Sequence, residues 1–232
     1  EEKITVNGNV DLYAVVFNRT TETDLTEDQL PQVDIYKYKQ VIFVGDSRTE
    51  FMENVLTGMG ESATKNVKFV CSAGKGLDWF TTTGWAQLYS IVQHDSNSIL
   101  SKKTAVIFNF GVNDLSKSAD YAEYYNWIAP QLKSKGCELY FMSVNPVNRL
   151  MLPNAGRADR SEAAVRSFNQ YMKVNLSSAY TYIDMYSYLK STGYSFASDH
   201  YGTGTVDDGL HYTTRTYKRI FAKCMDSLRV PA

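Results

Sequence analysis

The chain has 232 residues, enough for one sizeable core and most simply one domain. Its 24 Lys and Arg nearly balance 25 Asp and Glu, for a formal net charge of −1, which argues against nucleic acid or an anionic membrane as partner. Hydrophobic residues make up 44%, yet no apolar run approaches the roughly 18 residues of a membrane helix, so no membrane span is expected.

Residues 1–40 read as an amino-terminal extension, with the core over residues 41–232. Within the extension, two short β-like runs flank Asn7-Gly8, a pair that favours a type I′ hairpin turn. Asn18 to Val33 is polar and acidic and reads as a surface loop or short helix. There is no internal repeat and no low-complexity stretch.

From residue 41 strand and helix patterns alternate. Runs at 41–44, 67–70, 105–108, 139–142 and 182–184 are strand-length and nearly continuously apolar, as strands buried on both faces of a parallel sheet must be. Helical stretches are expected near 48–57, 84–100, 119–135, 161–178 and 212–228. This alternation predicts an α/β chain folded as a three-layer α/β/α sandwich around a parallel sheet. Right-handed crossovers then bring the carboxyl ends of all strands to one edge. Cys71, Cys137 and Cys224 are odd in number and lack Cys-x-x-Cys spacing, so buried free thiols are expected. Seventeen tyrosines suit either sugar stacking or a half-buried sheet surface.

Four segments fall at that carboxyl edge. Gly45-Asp46-Ser47 follows the first strand and opens a helix, where exposed amides and the helix dipole favour negative charge. An ordinary strand–helix turn with serine as the helix cap is the plainer reading. Gly74, in Ser72-Ala73-Gly74-Lys75-Gly76, follows the second strand and can bring a backbone N–H close to a reacting carbonyl. A dinucleotide fingerprint fails there, because its third glycine would fall on Trp79. Gly111-Val112-Asn113-Asp114 follows the third strand, where Asn113 can aim its NH₂ at a tetrahedral intermediate or simply build a turn.

Asp208-Gly209-Leu210-His211 pairs an acid with an imidazole three residues on. A serine hydroxyl needs a base, and the base needs a group to fix its tautomer. Of three histidines, His94 reads as a surface residue, and His200 has only the adjacent Asp199 as partner. His211, introducing the last helix, is the best base, with capping of that helix as its other role. Asp199, His200, Asp207, Asp208 and His211 also raise a divalent-metal reading, but no His-x-x-x-His or Cys-x-x-Cys spacing supports it, and neither metal nor cofactor is expected.

In order and type these segments resemble the SGNH (GDSL) hydrolase superfamily, with the similarity spanning residues 41–228. The resemblance implies a flavodoxin-like SGNH hydrolase fold and a serine ester hydrolase. It implies Ser47 as nucleophile, His211 as base and Asp208 orienting the histidine. Ser47 and Gly74, through their N–H groups, and Asn113, through its side chain, would form the oxyanion hole; Gly76 competes with Gly74 for its place. The resemblance leaves the substrate wide. The lack of a long apolar lid points to a polar ester, and Trp79, Phe80 and the long 145–160 loop are candidates to shape the pocket. The expected substrate is an O-acyl, most simply O-acetyl, ester on a carbohydrate. An acyltransferase using a sugar hydroxyl and a glycan-binding module on the same fold are the alternatives. The expected location is extracellular or at the surface of a bacterium.

Overall fold

The computed structural model of the chain describes residues 24–33, 37–95, 103–153, 156–198 and 207–228. Five parallel strands, β1 (Tyr38–Gly45), β2 (Val67–Cys71), β3 (Lys103–Asn109), β4 (Cys137–Met142) and β5 (Tyr180–Ile183), lie in the order β2-β1-β3-β4-β5. Between and after them come α1 (Ser47–Thr57), α2 (Glu61–Thr64), α3 (Leu77–Trp79), α4 (Trp85–Asp95), α5 (Ser118–Ser134), α6 (Glu162–Asn175), α7 (Met185–Thr192) and α8 (Thr214–Ser227). A π-helical turn, Phe80–Gly84, joins α3 to α4. A separate antiparallel pair, β6 (Phe196–Ser198) and β7 (Asp207–Tyr212), precedes α8.

The layers follow from the period of two along the strands. Ile42, Val44, Val106, Phe108, Leu139 and Phe141 pack into one core with Leu88 of α4, Tyr125 of α5 and Phe168 of α6. Their neighbours Val41, Phe43, Ala105, Ile107, Tyr140 and Met142 pack into a second core with Met52 of α1, Leu189 of α7 and Phe221 of α8. Val41 to Val44 and Ala105 to Phe108 are wholly buried, as strands covered on both faces require. The fold is the expected α/β/α sandwich.

Some boundaries differ from expectation. β1 starts at Tyr38, and Leu30 and Val33 bury themselves in the second core, so the stretch before residue 41 contributes packing. The hairpin expected at Asn7-Gly8 lies outside the described residues, as do Asp199 and His200. Helices α2 and α7 and the β6–β7 pair had no counterpart in the sequence pattern. Among the described residues no helix is long and apolar enough to cross a membrane. Cys137 and Cys224 are buried, Cys71 is half-buried, and none of the three forms a disulfide.

The strand order reverses between β1 and β3, which run side by side but leave to opposite flanks. A crevice forms at such a point outside the carboxyl ends of the strands. Ser47 follows β1 and Asn113 follows β3.

Candidate active site

Asp46 leaves β1 in an extended conformation and caps α1, its Oδ1 accepting from Arg48 N–H at 3.0 Å. Ser47 is therefore the first helical residue rather than the cap. At that position backbone N–H groups have no intrahelical acceptor, and the helix dipole favours an anion. Burial pushes the Asp46 carboxyl up to about 6, against the pull of the Arg48 charge.

Ser47 Oγ lies 2.8 Å from His211 Nε2, and His211 Nδ1 lies 2.5 Å from Asp208 Oδ2. Asp208 Oδ1 accepts from the N–H groups of Leu210 at 2.8 Å and His211 at 2.7 Å, so the carboxylate is fixed by its own turn before it meets the ring. All three side chains are buried. Burial pulls the His211 pKa below its ordinary 6.5, outweighing the opposite influence of Asp208, with the Arg48 and Arg157 charges adding to the lowering. Burial also opposes the Asp208 charge, but hydrogen bonds from His211 and the two N–H groups hold its pKa below 3.8. The Phe51 ring, 4.5 Å from the imidazole centre to centre, covers one side of the His211 ring.

His211 sits in β7, not at the start of α8; Thr213 caps that helix by accepting from Thr216 N–H. The capping role open to His211 in the sequence thus belongs to Thr213. Gly209 makes the tight Asp208–His211 turn possible. Its φ is +68°, and a Cβ there would stand 2.4 Å from the Asn148 carbonyl oxygen. Gly209→Ala is expected to cost about 2 kcal/mol and to lower the melting temperature by about 4–8 °C. It should also lower turnover at least about tenfold, since a shift of about 1 Å in the base is enough. Thermal unfolding and steady-state kinetics check this; unchanged values in both would show that the turn tolerates a side chain.

Two loops complete the edge. Ser72 N–H donates to the Gly45 carbonyl at 3.3 Å, tying the loop after β2 to the strand that leads into Ser47. In that loop Gly74 is exposed, with φ +69° and open space where a Cβ would be. Gly76 is instead pressed against Asp114, 2.4 Å from where a Cβ would sit. The Asp114 carboxylate in turn accepts from Leu77 N–H at 2.9 Å and the Tyr121 hydroxyl at 2.7 Å. Gly76 therefore has a packing role, and Gly74 is the open position. Asn113 Nδ2 donates to the Lys75 carbonyl at 2.8 Å, joining the loop after β3 to the loop that holds Gly74.

Three arginines had no place in the sequence reading. The Arg48 guanidinium, 2% exposed, donates to the carbonyls of Leu210 (3.0 Å), Asn145 (2.9 Å) and Pro146 (2.9 Å) and lies over the Tyr212 ring at 5.2 Å. It ties the loop after β4 to the residue preceding His211. Arg157 Nη2 lies 3.4 Å from Asp208 Oδ2. Arg160 reaches the Val112 carbonyl at 2.6 Å and Asn113 Oδ1 at 3.0 Å. The position of Arg48, one residue past Ser47 at a helix start, was the one signal in the sequence. Nothing in the pattern distinguishes a buried arginine satisfied by carbonyls from an exposed one.

Phe80 was a candidate for stacking on a substrate, but it is wholly buried among Phe108, Phe110, Tyr124 and Tyr125. Trp79 is half-buried with its ring centre 6.1 Å from that of Phe110. Among the described residues no three His, Cys, Asp or Glu side chains gather as a metal site would require.

In solved structures the same fold recurs at low identity. An acetyl xylan esterase, AlAXEase, superposes with a TM-score of 0.53 at 11% identity, over 82% of this chain and 100% of its own. A provisionally assigned SGNH hydrolase from Slackia heliotrinireducens gives 0.54 at 11% identity, over 83% and 100%. A provisionally assigned acylhydrolase from Bacteroides fragilis gives 0.52 at 16%, over 87% and 92%. At these identities the likeness is one of fold. No curated protein sequence matches the chain. Residues 41–224, however, match the profile of the GDSL-like lipase/acylhydrolases. That stretch runs from the first strand past His211 and takes in every side chain of the crevice described above, so the chain belongs to the GDSL-like lipase/acylhydrolase family and is an ester hydrolase of that kind.

Proposed function

We propose that the chain is a serine esterase that removes short O-acyl groups, most simply acetyl, from a polar substrate such as a carbohydrate, through an acyl-enzyme on Ser47. The observation that carries this reading is the continuous path Ser47 Oγ–His211 Nε2 and His211 Nδ1–Asp208 Oδ2, at 2.8 and 2.5 Å. In it His211 accepts the serine proton as Oγ attacks the ester carbonyl. It returns that proton to the leaving alcohol oxygen, and then activates water to release the acid. Asp208 holds the tautomer with Nδ1 protonated and stabilises the imidazolium. The oxyanion is met by the N–H groups of Ser47 and Gly74 and by the Asn113 amide.

The preference for a polar ester rests on the rim. The 145–160 loop carries the Arg149–Asp159 pair on its surface (2.7 and 2.8 Å), and the loop after β2 exposes Lys75. The exposed large apolar side chain of the 145–160 loop is Leu150 alone, among the described residues. A long acyl chain needs a continuous apolar surface, at roughly 0.8 kcal/mol per buried methylene. Acetyl xylan esterase activity is found among proteins of this fold, as AlAXEase illustrates.

A sulfonyl fluoride is expected to add to Ser47, located by mass spectrometry of the labelled peptide, and to block release of acetate from both p-nitrophenyl acetate and an acetylated polysaccharide. Label on another residue with activity lost would overturn the nucleophile. Acetate release from the nitrophenyl ester but not from the polysaccharide would overturn the carbohydrate substrate. Acetyl transfer to an added sugar in place of acetate release would make the enzyme a transferase.

A further inference from the structure

An asparagine amide can sit in its pocket in two orientations related by a half-turn, and only one of them suits an oxyanion hole. With the NH₂ inward it donates to the developing negative charge; with the carbonyl inward it repels it. In this structure two neighbours fix the choice, and each can bond in only one sense. The Arg160 guanidinium has donors and no acceptor, and its Nη2 lies 3.0 Å from Asn113 Oδ1. The Lys75 carbonyl can only accept, and it takes one Nδ2 hydrogen at 2.8 Å. One Nδ2 hydrogen remains, in the plane that these two contacts define.

Arg160 is itself held. Its Nε donates to the Val112 carbonyl at 2.6 Å and its Nη1 to the Ala158 carbonyl at 2.9 Å. The side chain comes from the residue just before Ser161, the cap of α6, so it is anchored to a helix rather than to a loop tip. We propose that Arg160 is a positioning residue for the oxyanion hole: it locks the Asn113 amide with its NH₂ facing the reacting carbonyl. This rests on the reading of Asn113 as an oxyanion donor. Arg160 does not touch the substrate in this role, and its effect runs through Asn113.

The test is a double-mutant cycle on the full chain with p-nitrophenyl acetate. Asn113→Ala alone is expected to lower kcat about 10²- to 10³-fold, the usual effect of removing one oxyanion donor. Arg160→Ala alone is expected to lower kcat about 10- to 100-fold with KM changed less than about threefold, because the Lys75 contact still favours the correct orientation. In the Asn113→Ala background, Arg160→Ala is expected to cost less than about threefold, since no amide remains to orient. Arg160→Lys, which keeps one cationic donor, should fall between wild type and Arg160→Ala, and millimolar guanidinium should restore part of the Arg160→Ala loss but none in the double variant. If Arg160→Ala costs the same factor with and without Asn113, it acts on the loop and the proposal is overturned while the oxyanion reading stands. If Asn113→Ala leaves kcat unchanged, the oxyanion reading itself is overturned, and the positioning role with it. Should Arg160→Ala fail to fold, the same cycle run with Arg160→Lys decides between these outcomes.

Discussion

Ser47→Ala is expected to lower kcat/KM for p-nitrophenyl acetate by roughly 10⁴- to 10⁶-fold while leaving the protein folded. The size of the loss follows from the role: without Oγ no acyl-enzyme forms, and only the oxyanion donors and bound water are left to act. The stability effect is small because Oγ contributes one hydrogen bond, to His211, worth about 1 kcal/mol. For a chain of this size that is a shift of about 2–4 °C in melting temperature. The variant should also stop accumulating acetyl-enzyme, which in the wild type is detectable as a mass increase on the peptide containing Ser47 after a rapid quench. Turnover within tenfold of wild type would remove Ser47 from the mechanism. A loss of activity accompanied by unfolding would be met by Ser47→Cys, which keeps a nucleophilic atom in place and should form a thioester.

The strands were legible because parallel strands are covered on both faces, and runs such as Val41-Ile42-Phe43-Val44 have no other comfortable environment, whereas their order in the sheet came only with the structure. Three candidate segments at their carboxyl ends were legible too, and with them a fourth, Asp208 to His211, which lies within β7; the structure brings Ser47, Asp208 and His211 into contact and joins the loops of Gly74 and Asn113. What could not be read was the support. Arg48 looks like any polar residue in the first turn of a helix. Its burial is tolerable only because three carbonyls, two from the loop after β4 and one from β7, converge on it, and carbonyls leave no trace in side-chain identity. The same holds for Arg160 and for Asp114, whose partners include the Leu77 backbone. The β6–β7 pair escaped notice because β6 is three residues long and its partner reads Asp207-Asp208-Gly209-Leu210-His211-Tyr212, with little β-branched or alternating character. Phe80 misled in the opposite direction: its position after the Gly74 loop suggested a pocket wall, but a phenyl ring beside Phe108 and Phe110 gains more by burial than by facing water.

Asp208→Asn is expected to lower kcat/KM about 10³- to 10⁴-fold, and the reason lies in the turn rather than in the lost charge alone. Asp208 Oδ1 accepts from two backbone N–H groups, at 2.8 and 2.7 Å. An asparagine there must keep its carbonyl oxygen on that side, because an NH₂ would face two donors. Its NH₂ is then forced towards His211 Nδ1, which must accept, so the ring proton moves to Nε2. Nε2 would donate to Ser47 Oγ instead of taking its proton, and the base is lost. The pH profile separates this from a general electrostatic effect. His211 works as a base only when neutral, and its pKa lies below 6.5 in the folded protein, so the acid limb of wild-type kcat/KM is expected below pH 6.5 with a plateau through neutrality. Asp208 raises the imidazole pKa, so its removal should move the remaining limb to still lower pH. Asp46, pushed up to about 6 by burial, titrates in the same range and is the competing source of that limb. Asp46→Asn keeps an oxygen to cap α1 and cannot ionise. If His211 sets the limb, Asp46→Asn leaves one in place and Asp208→Asn shifts it; if Asp46 sets it, Asp46→Asn erases it and Asp208→Asn does not. Stability divides the two groups by sign. A lowered His211 pKa makes the fold less stable as pH falls from 6.5 through the folded value. A raised Asp46 pKa makes it more stable as pH falls through about 6 towards 3.8. Melting temperatures from pH 4 to 7 for wild type and Asp46→Asn should therefore differ in slope, the variant losing stability more steeply towards acid. Equal slopes would mean that Asp46 is an ordinary carboxylate and that the acid limb belongs to His211 alone.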